Sequence, residues 1–180
     1  MIKKLVFLLI ILILNLFYSA QSMADNAANK AGCIQAAIQG IKLEIERNKR
    51  WTASAEERQD LSAVEKYKNE LSNLENDLAK YSNLKVEDYQ LPERFKVTAW
   101  VEGQCTANAI LYMDDMSQSG PWYHVAGVTG GEYNAIEPGT KYSIGLYLVY
   151  PREYFGMKSY YVYINSAERD PVSPGKVAGK

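Results

Sequence analysis

Ile136-Glu137-Pro138-Gly139-Thr140-Lys141-Tyr142-Ser143-Ile144-Gly145-Leu146-Tyr147-Leu148-Val149-Tyr150 is the stretch whose reading decides the fold. Pro138 and Gly139 build a tight turn, and an alternating segment follows directly. Tyr142, Ile144, Leu146, Leu148 and Tyr150 fall on one side, and Ser143, Gly145, Tyr147 and Val149 on the other. A period of two is that of a strand, so this segment marks the core of a small β domain.

Further strands are expected at Phe95–Glu102, Cys105–Met113, Trp122–Val128, Glu132–Ile136 and Lys158–Asn165, with this one covering Lys141–Tyr150. Gly103 with Gln104, Gly120 with Pro121, Gly130 with Gly131, and Pro138 with Gly139 punctuate them. Six short strands with short links predict an antiparallel sandwich or barrel. Residues 167–180, with Pro171, Pro174, Gly175 and Gly179 and no large apolar side chain but Val, are expected to be a disordered tail.

Upstream the period is helical. Ile34, Ile38, Ile41 and Ile45 form one stripe between Ala27 and Arg50. A break is expected at Trp51–Ala53, and Ser54 with Glu57 fits a capping box that would open a second helix near Ala55. Leu61, Val64, Leu71, Leu74, Leu78 and Tyr81 supply its stripe. Two helices of similar length with a short link predict an antiparallel hairpin, with an intermolecular coiled coil as the alternative packing of the same stripes. Residues 83–93 read as a connector closed by Pro92, and the change of period beyond it marks the domain boundary.

The first 24 residues read as a secretory signal peptide. Lys3 and Lys4 precede an apolar run from Leu5 to Leu14, and Ser22-Met23-Ala24 fits a small-x-small cleavage pattern before Asp25. The run is shorter than the roughly 20 residues of a membrane span, and Lys30 stands where a lipoprotein signal before Cys33 would want an apolar residue. Removal of the segment takes away two lysines and no acid, moving the formal charge from −1 to −3. That balance does not suggest nucleic acid or an anionic membrane as partner. Export places the chain in the periplasm or outside the cell, where Cys33 and Cys105 are expected to form a disulfide. Closing a loop of about 70 residues would stabilise by roughly 4 kcal/mol.

Residues Ile136 to Ile144 resemble the corner between the fifth and sixth strands of fibronectin type III domains, where an apolar residue, Pro-Gly-Thr and then Tyr open a strand. The resemblance covers about 30 residues and implies an immunoglobulin-like sandwich in which Tyr142 is the tyrosine corner. Trp100, Ile110 and Tyr112 fit the family's order loosely, whereas Cys105 has no counterpart in it. A similar order, Gly131, Tyr133, Pro138, Gly139 and Tyr142, occurs in transthyretin-like and Cna-B-type sandwiches. The expected organisation is thus an α+β chain: signal peptide 1–24, helical hairpin 25–82, connector 83–93, β-sandwich 94–166 and tail 167–180.

Catalytic signatures are sparse. The single histidine, His124, lies in a strand pattern, and no local motif links it to Ser117 or Ser119. One histidine cannot supply the usual zinc set. Asp114, Asp115 and Glu132 could hold calcium but more commonly face solvent. The reading is therefore not an enzyme, without cofactor or metal.

Tyrosine is what stands out: ten of the fourteen lie between Tyr112 and Tyr163. Strand parity puts Tyr147, Tyr161, Tyr163 and Val149, with Trp100, on the face opposite the core. Two explanations compete. Either the hairpin lies across this face, or the face is open and binds a partner. Trp122, Tyr123 and Tyr154, in or beside loops, are candidate anchors under both. These residues point to an exported protein-binding module, such as a periplasmic inhibitor or immunity protein. A carbohydrate-binding module and a structural subunit of an envelope assembly are the alternatives.

Overall fold

The architecture follows from where the helical period stops and how the strands then pair. The structure is a computed structural model that describes the backbone of residues 2–102, 109–113, 122–128, 141–154 and 157–169, and the side chains of residues 11, 18–96, 142–153 and 159–168.

Helix α1 runs without interruption over Ile2–Glu57, 56 residues, or about 84 Å at 1.5 Å per residue. Residues 18–28 are all exposed, and burial begins at Asn29, so the expected cleavage point after Ala24 falls in exposed helix. The break expected at Trp51–Ala53 comes later, at Arg58–Asp60. Gln59 takes a positive φ of 58° there. Its N–H donates to Glu56 O and the Asp60 N–H to Ala55 O, each at 3.0 Å. This bond pair is a Schellman closure, with Gln59 in the place usually taken by glycine.

Ser54 and Glu57 consequently form no capping box. The Ser54 hydroxyl accepts from Arg58 Nη1 at 2.9 Å, and Asp60 is the residue that caps α2 (Leu61–Ser82), its Oδ1 accepting from Ala63 N at 3.0 Å. One aspartate thus ends the first helix and starts the second. Leu61, the expected first member of the apolar stripe, follows the cap directly and is 80% exposed. The hairpin is antiparallel: Trp51 packs on Tyr67 with ring centroids 5.6 Å apart, and Lys68 pairs with Glu56 at 3.0 Å.

After the connector come β1 (Arg94–Glu102), β2 (Ala109–Met113), β3 (Trp122–Val128), β4 (Lys141–Tyr154) and β5 (Met157–Arg169). The α+β class stands, but the β part is not a two-sheet sandwich. The strands close into one barrel in the order β1-β2-β3-β5-β4, because β1 pairs with both β2 and β4 and β3 pairs in parallel with β5. Closure pairs each of the described strands on both sides. Small five-stranded Greek-key barrels of the OB type share this architecture. Residues 167–169, expected in a disordered tail, belong to β5. The strand expected at Glu132–Ile136 and the turn before Tyr142 lie outside the described residues.

Two bulges between β4 and β5 set which of their residues face which way. Gly145 pairs with Ser166 and Leu146 with Ile164, leaving Asn165 extra on β5. Leu148 pairs with Val162 and Tyr150 with Tyr161, leaving Val149 extra on β4. The second bulge reverses the alternation, so Tyr150 joins Tyr147 and Val149 against the hairpin instead of continuing the Tyr142 side. Tyr142, Ile144, Leu146, Val162 and Ile164 are buried apart from that cluster, as the core within the barrel.

Asp60→Ala is expected to lower stability by about 1 kcal/mol through loss of the cap. Gln59→Gly should raise it by a few tenths to about 1 kcal/mol by relieving the left-handed conformation. Urea denaturation of both variants checks the assignment of the turn.

Candidate functional site

The tyrosine-rich face meets α1, which packs against β3, β4 and β5. Gly32, Ala36 and Gly40 recur every four residues and form a small-residue strip along the helix. A Cβ at Gly40 would stand 2.5 Å from Tyr161 Cγ, and one at Gly32 would clash with Cζ and the hydroxyl oxygen of Tyr163. The glycines therefore let two tyrosine rings lie directly on the helix backbone. Tyr147 stacks beside Tyr163, with centroids 6.3 Å apart. Ile34, Ile41, Ile45 and Leu74 close the same cluster from the hairpin.

At the end of the glycine strip sits Glu44, fully buried. Tyr161 donates its hydroxyl proton to Glu44 Oε1 at 2.6 Å, and Arg47 Nη1 donates to the same oxygen at 2.8 Å. Arg152 Nη2 lies 3.3 Å from Oε2, and Arg152 Nη1 reaches Glu70 on α2. Arg152 stands on this face because the Val149 bulge turned the strand. One carboxylate thus ties α1 to β5 and β4, and through Arg152 to α2. A buried charge is tolerable only with such partners.

Other tyrosine hydroxyls act alike. Tyr150 donates to Asp77 Oδ2 at 2.6 Å and Tyr81 to Val149 O at 3.4 Å, with the two rings edge to face. Tyr89, in the connector, donates to the Cys33 thiol. Burial pushes the Cys33 thiol from its ordinary 9.0 up to about 12, with the Tyr89 hydrogen bond opposing. Burial also raises Tyr81, Tyr89, Tyr147 and Tyr150, the last further through its bond to Asp77.

The expected site residues divide. Tyr147, Tyr161 and Tyr163 are 6%, 1% and 1% exposed, so the hairpin covers the aromatic face and these three are not surface anchors. The side chains of Trp100, Trp122, Tyr123 and Tyr154 lie outside the described residues, but register places their backbones. Trp100 pairs with Tyr112 and Lys141, Trp122 with Ser159, Tyr123 with Leu111 and Tyr160, and Tyr154 with Met157. Cys33 is a buried free thiol here, and Cys105, its expected disulfide partner, lies outside the described residues. Asp114, Asp115 and Glu132 lie outside them too. Among the described residues no group of three His, Cys, Asp or Glu could hold a metal, and no helix is long and apolar enough to cross a membrane. The Glu44 network went unpredicted, although the Gly32-Ala36-Gly40 spacing signals a close helix contact.

No family model matches the chain, and no curated protein matches it. Among solved structures, a toxin-related protein from Parabacteroides distasonis aligns with 43% of this chain and 33% of its own, at 14% identity and a TM-score of 0.29. The chain thus spans a third of that protein's length.

Gly40→Ala should destabilise by about 1–2 kcal/mol net, overpacking outweighing the gain in helix propensity. Glu44→Ala should cost about 3–5 kcal/mol, because Arg152 and Tyr161 lose their shared acceptor. Chemical denaturation reads both. Raised thiol and phenol pKa values mean that the folded chain holds protons which the unfolded chain releases, so this contribution to stability is complete below about pH 9. The melting temperature should therefore fall as pH rises from about 9 toward 12, and fall less steeply for Cys33→Ala with Tyr89→Phe.

Proposed function

We propose that the chain is an exported, non-catalytic module that binds another protein, an envelope inhibitor or immunity protein being its specific form. Lys3, Lys4 and the apolar run after them support export. The observation that carries the binding role is a juxtaposition made by the strand pairing. Trp122 on β3 neighbours Ser159 on β5, Ser159 neighbours Arg152 on β4, and Tyr154 follows two residues later. Two strand spacings and two residues along the strand put the Trp122 and Tyr154 backbones within about 12 Å of each other.

Large aromatics at one end of a rigid scaffold suit a protein partner, which gains contact area without paying to order the site. The scaffold here is braced where it matters, since Arg152 in the same row is held by Glu44 and Glu70. The partly exposed Arg47 and Glu70 supply a charged rim.

The barrel itself favours one other reading. Five-stranded Greek-key barrels also serve oligosaccharide binding, and the same aromatics could stack on sugar rings.

The test is capture from envelope extract by the tagged mature chain, beginning at Asp25, beside its Trp122→Ala, Tyr154→Ala double variant. A specific partner retained by the parent and reduced at least tenfold by the variant, at unchanged melting temperature, is the expected result. Undiminished capture would remove these two residues as anchors. Glycan-array binding without any protein partner would move the assignment to carbohydrate.

A further inference from the structure

Two polar atoms in the seam between hairpin and barrel have no hydrogen-bond partner among the described residues: Asn48 Oδ1 and Ser159 Oγ. Neither reaches solvent, the residues being 0% and 2% exposed. The other groups of Asn48 are accounted for. Its Nδ2 donates to Glu44 O at 3.1 Å, and its carbonyl accepts from Thr52 Oγ1 at 2.9 Å. The first bond fixes the amide, because the flipped orientation would set two oxygens against each other. Oδ1 is thereby directed away from its own helix.

Ser159 lies on the β5 face that carries Tyr161 and Tyr163, and it pairs with Arg152 on β4. Helix α1 crosses that face in step. Gly32 meets Tyr163, Gly40 meets Tyr161, and Glu44 takes the Tyr161 hydroxyl. The next step along both elements, eight residues of helix and two of strand, leads from Gly40 and Tyr161 to Asn48 and Ser159. Burying an amide oxygen and a hydroxyl unpaired forfeits their hydration with nothing in return, and native interiors avoid it.

We propose that a single water molecule is built into the seam at this point, donating to Asn48 Oδ1 and hydrogen-bonded to Ser159 Oγ. A neutral guest fits the surroundings. Arg152 and Arg47 oppose a cation here, and the Glu44 carboxylate opposes an anion. The water forms the rung after Tyr161–Glu44 between α1 and β5. Buried waters of this kind bridge otherwise unpaired polar groups and are costly to remove.

A double-mutant cycle with Asn48→Leu and Ser159→Ala, read by urea denaturation, tests the bridge together with oxygen-17 relaxation dispersion of solvent water, which counts long-lived internal waters. Each single change is expected to raise the unfolding equilibrium constant about five- to tenfold, and the double change no more than the larger single one. Ser159→Ala should also show one long-lived water fewer than the parent. A Ser159→Ala variant that is as stable as the parent or more so, additive effects, or an unchanged water count overturns the proposal. So does coupling without a water difference, which would assign the bridge to a protein side chain. Should Asn48→Leu fail to fold, Ser159→Ala decides alone through its stability and its water count.

Discussion

Glu44 is the constraint on which the remainder depends. A carboxylate with no access to solvent forfeits several kcal/mol of hydration unless charged and hydrogen-bonding partners replace the water. Its partners come from three elements: Arg47 from its own helix, Tyr161 from β5 and Arg152 from β4, which in turn holds Glu70 on α2. These contacts require α1 at one height and one rotation over the barrel. Gly40, a turn earlier, permits the height by letting the helix backbone down onto the Tyr161 ring. The Val149 bulge provides Arg152. Small residue, extra residue and buried charge are thus three parts of one fitting.

That fitting also explains the abundance of tyrosine. A seam lined with Phe would bury apolar area equally well but would leave Asp77, Cys33, the Val149 carbonyl and Glu44 to find other donors. Tyrosine supplies a ring for one layer and a hydroxyl for the polar groups of the other. Aromatic enrichment in a strand-rich segment is therefore not in itself a sign of a ligand. Here Tyr147, Tyr161 and Tyr163 serve the union of two halves of one chain.

Much of this was legible in the residues. The change of period fixes where helix gives way to strand, close to the observed start of β1 at Arg94, and the Trp122–Val128 strand has the limits its pattern suggests. Local rules sufficed there because alternation and turn residues are local. The closed barrel was not legible, since the parallel union of β3 with β5 joins segments about 35 residues apart and leaves no mark in either. The helix break was misplaced for a related reason. Ser54 and Glu57 satisfy a capping pattern, but Asp60 also does, and the left-handed turn at Gln59 lacks its customary glycine. Of the site, Gly32, Ala36 and Gly40 were readable as a strip, whereas the convergence of Glu44 with Arg152 requires knowing that Val149 is extra.

The Val149 bulge gives the molecule a kind of reading frame. Along β4 the sequence assigns alternate residues to two different interiors, the barrel and the seam, and the one unpaired residue is where that assignment shifts phase. Substitutions around it exchange one side chain for another and leave the phase intact. Loss or gain of a single residue between Leu148 and Tyr150 would instead send Tyr150 and Arg152 toward the barrel and present their neighbours to the hairpin. In a family descended from this chain, the length of β4 should therefore be held more strictly than the identity of the residues that compose it.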